Sequence, residues 1–169
     1  MKTSKIMALC GMMTALPLVL LVLGAVLEIG IYAAPMLAGI CLLPVRKLCG
    51  KKYQMLVWLA AGLLGLILVP NVEEVLMYLA LFGCYPIVRP WFQKWKKWGR
   101  LLWKTLYFNA VTLAVQTLVL WVLVPEPMGF GLGIALLLVG NAVFWLYDLL
   151  LPKAERKMDI LFGKILKNR

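Results

Sequence analysis

The sequence predicts an all-α polytopic membrane protein of six transmembrane helices, and three observations carry that reading. Of its 169 residues, 64% are hydrophobic and 15% charged, where a soluble domain holds about half and about a quarter. The mean hydropathy is +0.93. The apolar residues gather into six runs, and a bilayer core takes roughly 20 residues of helix per crossing. All 18 lysines and arginines fall in alternate connections between those runs. The composition also excludes disorder, collagen and a disulfide-rich secreted module. With no histidine and seven carboxylates, imidazole-based acid–base or metal chemistry has nothing to work with.

The runs cover about 6–27, 31–45, 53–69, 72–88, 101–124 and 128–151. The second, third and fourth are short and carry Pro or Gly, which predicts kinks or tilt. Lys2 and Lys5 precede the first run. Arg46, Lys47, Lys51 and Lys52 separate the second from the third. Arg89, Lys94, Lys96, Lys97, Arg100 and Lys104 separate the fourth from the fifth, and Lys153, Arg156, Lys157, Lys164, Lys167 and Arg169 follow the sixth. The other connections hold Glu28, then Glu73 and Glu74, then Glu126, without a base. The positive-inside rule therefore puts both termini in the cytoplasm of a multi-pass cell-membrane protein. An odd number of runs would break the alternation. The net charge of +11 is thereby assigned to anionic inner-leaflet lipids rather than to nucleic acid.

Residues 1–152 form the membrane domain on this reading, and 153–169 an amphipathic cytoplasmic tail with Met158, Leu161, Phe162 and Ile165 at helical spacing. The first run is too long for a signal-peptide core and lacks a small-x-small site after it. Cys10, Cys41, Cys49 and Cys84 make no CxxC pair and read as reduced packing residues.

Between the fourth and fifth runs, Trp91, Trp95 and Trp98 are spaced four and three apart. A short helix there would set them on one face with lysines opposite, lying in the headgroup region. They form an aromatic anchor with Trp58 and Trp103, or a docking surface for a partner. Small residues four apart, as in Ala34/Ala38, Pro35/Gly39, Ala61/Gly65, Ala110/Ala114 and Gly129/Gly133, let helices approach closely in lipid. Gly11/Ala15 on the first run is the pair expected to meet a partner helix.

Polar groups at membrane depth are costly and tend to face an interior. Here they are Asn109, Thr112, Gln116 and Thr117 on the fifth run and Asn141 and Asp148 on the sixth. Asp148 lies near the inner end, where a cytoplasmic lysine or arginine can pair with it. Gln116 and Asn141 divide between an interhelix hydrogen bond and a ligand contact. On the outer side, Asn71 is a good N-cap, and Glu73 suits the helix dipole. Glu74, Tyr78, Leu81 and Tyr85 follow at intervals of four, three and four, along one helix face. A carboxylate above tyrosines suits an amine-bearing or aromatic ligand entering from outside, and Glu28 and Tyr32 would close the same mouth. No Walker loop, GxSxG or HExxH occurs, so the chain does not read as an enzyme or as able to energise transport alone. No inverted repeat relates its halves.

In length and topology, in Ala8–Ala15, and in Val69–Glu74 through Phe82–Pro86, the chain resembles the substrate-binding S component of energy-coupling factor transporters. These are six-span proteins of bacteria and archaea with both termini inside. The resemblance implies a vitamin- or metal-type micronutrient bound in the outer half, with a transmembrane coupling subunit and two ATPases as partners. The family's first helix meets the coupling subunit through small residues four apart, a spacing that Gly11 and Ala15 keep. Lack of histidine points away from nickel or cobalt. On this reading an outward cavity lies between the first, fourth, fifth and sixth runs, lined by Glu74 and Tyr78. The competing reading is a non-transport accessory or scaffold protein recruiting a partner through its basic, Trp-rich face, with Glu74, Tyr78 and Gln116 tightly packed. A channel or exporter is disfavoured by the scarcity of polar residues on the first three runs.

Overall fold

The computed structural model describes residues 3–27, 32–122 and 130–167, and every regular element among them is helical. In chain order these are α1 (Thr3–Leu27), α2 (Ala33–Ile40), α3 (Leu43–Cys49), α4 (Lys51–Leu68), α5 (Val72–Met77), α6 (Tyr85–Phe92), α7 (Lys97–Val122) and α8 (Phe130–Lys167). A π-helical turn, Tyr78–Phe82, follows α5 directly and leads towards α6. Four stretches are long and apolar enough to cross a membrane: Ser4–Leu27, Lys51–Leu68, Val72–Phe92 and Leu137–Ile160. Large apolar side chains stand exposed along α1 (Met12, Leu16, Val19, Leu23, Val26) and along α4 (Leu59, Leu63, Ile67). A water-soluble monomer rarely leaves such continuous apolar stripes uncovered, so the surface is that of a membrane protein.

Each of the six apolar runs is helical in its described part, and the breaks have local causes. The second run divides into α2 and α3 just before Pro44, which has no N–H to donate to the carbonyl one turn earlier. Gly50, at φ 97°, takes the left-handed conformation that turns α3 into α4. Asn71 caps α5 as its sequence position predicts, its side-chain oxygen accepting from the Glu74 amide at 3.4 Å.

The stretch Val72–Phe92 is the central post: 56% of it is buried, against 11% to 28% for the other three candidate spans. On one side Val75 and Tyr78 pack with Leu21, Ala38, Leu42, Val57 and Ala61 of α1 to α4. On the other, Met77, Leu81, Phe82 and Tyr85 pack with Phe108, Phe144 and Tyr147 of α7 and α8. Small residues set the closest approaches. A Cβ on Gly39 would meet the Phe82 carbonyl and the Tyr147 hydroxyl at 2.5 Å, so α2 can lie there only because residue 39 has no side chain.

Two prolines explain polar bonds across the post. Pro86 sits four residues after Phe82 and Pro90 four after Pro86, so the Phe82 and Pro86 carbonyls lose their in-helix donors. Tyr147 Oη donates to the Phe82 carbonyl at 2.7 Å, and Arg46 Nη1 to the Pro86 carbonyl at 3.0 Å. In the π turn the Gly83 amide reaches back five residues to the Tyr78 carbonyl at 2.7 Å, and Tyr107 Oη donates to the Ala80 carbonyl at 2.9 Å.

One expectation is corrected. Residues 90–100 do not form one interfacial helix: α6 ends at Phe92, a turn spans 93–96, and α7 starts at Lys97. The chain must reverse there, because Tyr107 returns to pack on Tyr85 and Phe92. Trp91, Trp95 and Trp98 therefore lie on three different pieces of backbone, all exposed. The final helix runs through Pro152 to Lys167, so the tail is helical, with Met158 packed against the core.

Candidate functional site

One buried and one half-buried carboxylate stand out, and they lie in opposite electrostatic settings. Glu74 is 1% exposed, and its Oε1 has no hydrogen-bond partner among the described residues. The first turn of α5 aims it at Gly24 of α1 and Ala34 of α2. A Cβ on Gly24 would overlap both Glu74 Oε1 and the Ala34 methyl, so the three residues form one tight junction. One turn on, Tyr78 is fully buried with its hydroxyl unpartnered, and Thr112 of α7 and Gln54 of α4 are likewise buried and unpartnered. Among the described residues Glu74 and Tyr78 are packed between helices, and glycine at 24 lets α1 settle directly onto the carboxylate.

The other proposed lining residues disperse. Tyr32, 8% exposed, packs towards Gly140 of α8, and Glu28 lies outside the described residues. Asn141 resolves to an interhelix bond: its Nδ2 donates to Asn109 Oδ1 at 2.8 Å and to the Leu137 carbonyl at 2.8 Å. Gln116 is half-buried on α7. Tyr85 does not continue the face of Glu74 and Tyr78. A π turn inserts an extra residue, which rotates everything after it by about 100°. On α1, Gly11 and Ala15 are exposed, and nothing stands within 4 Å of a Cβ built on Gly11.

The second carboxylate, Asp148, is saturated. Tyr85 Oη donates to its Oδ1 at 2.5 Å and Lys104 Nζ to its Oδ2 at 2.6 Å, while Arg89 Nε stands 3.4 Å from Oδ1. Arg89 also reaches Glu155 with Nη1 at 3.2 Å, and Lys47 pairs with Asp159. Arg89 and Lys104 are buried to within 8% and 5% exposure. The basic pairing expected for Asp148 is present, but it draws on α6 as well as α7. The signal for the rest was Tyr85 and Arg89 one turn apart, and Asp148 and Glu155 two turns apart. Two clefts flank Arg89, one of about 310 Å³ towards Arg100 and Lys104 and one of about 150 Å³ towards Arg46 and Glu155.

No protein-family model, curated protein or solved structure matches the chain.

Proposed function

We propose that the chain is the substrate-capture subunit of an energy-coupling-factor-type micronutrient importer, binding a small cationic solute at Glu74. Six crossings would be made by α1, α2 with α3, α4, α5 with α6, α7 and α8. The alternation of basic and acidic connections supports cytoplasmic termini. One observation carries the ligand reading: a carboxylate in the first turn of α5 that is 1% exposed and unpartnered at Oε1 among the described residues. Such a group costs several kcal/mol unless a counter-charge offsets it, and an amine supplies both the charge and the donors. The lid over it is made of Gly24 and Ala34, whose separation sacrifices little side-chain packing. The exposed Gly11 and Ala15 face of α1 leaves room for a coupling subunit, and ATPase subunits would supply the energy this chain has no motif to harvest.

A second reading, an accessory membrane subunit, draws on the close packing of Glu74 and Tyr78 and on the exposed Trp91, Trp95 and Trp98. Purification in mild detergent separates the two. On the capture reading, ATPase subunits and an amine-bearing small molecule accompany the protein, and Glu74→Gln loses the small molecule while keeping the subunits. Retention of a partner that vanishes on Trp95→Ala with Trp98→Ala, with no small molecule in the wild type, selects the accessory reading instead.

A further inference from the structure

We infer that the basic end of the bundle carries a binding site for an anionic phospholipid, with the phosphate among Arg89, Arg100 and Lys104 and an acyl chain along α7. The head cleft, about 310 Å³, is lined by these three cations together with Gln93, Trp145 and Asp148. Its volume is about ten times the ~30 Å³ that a water occupies in the liquid, enough for a phosphate and the glycerol next to it. The cleft is unbalanced in charge. Asp148 is its one carboxylate, and both its oxygens are already engaged by Tyr85, Arg89 and Lys104. Arg100 has no carboxylate partner among the described residues. Lys104 Nζ, with three protons to donate, gives one to Asp148. A phosphate accepts several charge-assisted bonds and supplies the missing negative charge.

What selects a lipid over a free anion is the adjoining face of α7. Trp98, Leu101, Leu102, Leu106 and Asn109 line an open, mainly apolar stretch of that one helix, and Leu101 also lines the head cleft. A charged cleft beside an exposed apolar helix face suits an amphiphile. The run of exposed tryptophans beside it, Trp95 and Trp98, suits the headgroup level. The second cleft, about 150 Å³ between Arg46, Arg89 and Glu155, shares Arg89 and Gln93 and would take the polar remainder of the headgroup.

Delipidated full-length protein is titrated with dioctanoyl phosphatidylglycerol, with dioctanoyl phosphatidylcholine and with inorganic phosphate, and bound adducts are counted by native mass spectrometry. Phosphatidylglycerol should bind at least about tenfold tighter than phosphatidylcholine. Arg100→Gln should abolish most of that preference, about tenfold, whereas Lys94→Gln, which removes an exposed charge outside the clefts, should change it less than about twofold. Leu102→Gln on that face of α7 should weaken the lipid whether or not Arg100→Gln folds. Glu74→Gln should leave lipid binding untouched, so failure here does not bear on solute capture. Equal binding of the two lipids, equal losses in the Lys94 and Arg100 variants, or inorganic phosphate matching the lipid's affinity would each overturn the assignment. The second of those outcomes marks diffuse attraction and the third a free-anion site.

Discussion

Glu74 and Asp148 are the same chemistry in two regions of one bundle, and their surroundings assign them opposite parts. Asp148 accepts from Tyr85 and Lys104 at 2.5 and 2.6 Å, pairs with Arg89 Nε at 3.4 Å, and joins three helices. Glu74 meets a glycine and an alanine. A charge bonded at both oxygens contributes to the architecture, and removing it leaves its partners stranded. A buried carboxylate with nothing to accept from contributes no architecture, and its retention needs another reason. The contrast teaches that low exposure does not by itself make a carboxylate structural. Partner count separates the two.

The largest expected effect tests the saturated end. Asp148→Asn leaves Lys104 buried without its counter-charge and Arg89 with Glu155 alone, which should cost about 3–5 kcal/mol of stability. Denaturant unfolding in micelles reads it. Adding Lys104→Met should recover part of the loss, because a buried cation is removed along with the need for its partner. A loss below about 1 kcal/mol for the single variant would mean that the cluster is solvated and erase the distinction from Glu74.

Glu74→Gln should have the opposite sign. The shape against Gly24 and Ala34 is kept while an unpartnered charge is removed, so ligand-free stability should hold or rise by about 1 kcal/mol. A fall of about 2 kcal/mol or more would show that Glu74 has a donor in the folded protein. The comparison would then collapse from the other side.

The two ends also differ in how far sequence disclosed them. Asp148 was legible because an acid among many cations at the inner end of a run has obvious partners. The helical content of the apolar runs was legible from hydropathy, and the Asn71 cap from residue type. The packing of Glu74 was not, because glycine at 24 carries no signal of which helix will rest on it. The face Glu74–Tyr78–Leu81–Tyr85 assumed a constant 3.6-residue period, and the π turn at Tyr78–Phe82 breaks that phase. The tryptophan segment failed for a related reason, since spacing of four and three describes a helix only where the chain has no need to reverse.

A last test probes the polar bond closest to the boundary between these regions. Tyr147 Oη is the donor to the Phe82 carbonyl, which Pro86 leaves without an in-helix partner. Tyr147→Phe should therefore cost about 1–2 kcal/mol, the price of a buried acceptor left bare. Pro86→Ala restores an N–H four residues on, so in the Tyr147→Phe background it should be less harmful than in the wild type. A double-mutant cycle on unfolding free energies measures that coupling. Additive losses would mean that the π turn holds the amide of residue 86 away from the Phe82 carbonyl even when the proton is present. The wide turn itself, rather than the proline, would then be what commits Tyr147 to the post, and α8 would be bound to the centre of the bundle by backbone geometry independent of the Asp148 cluster.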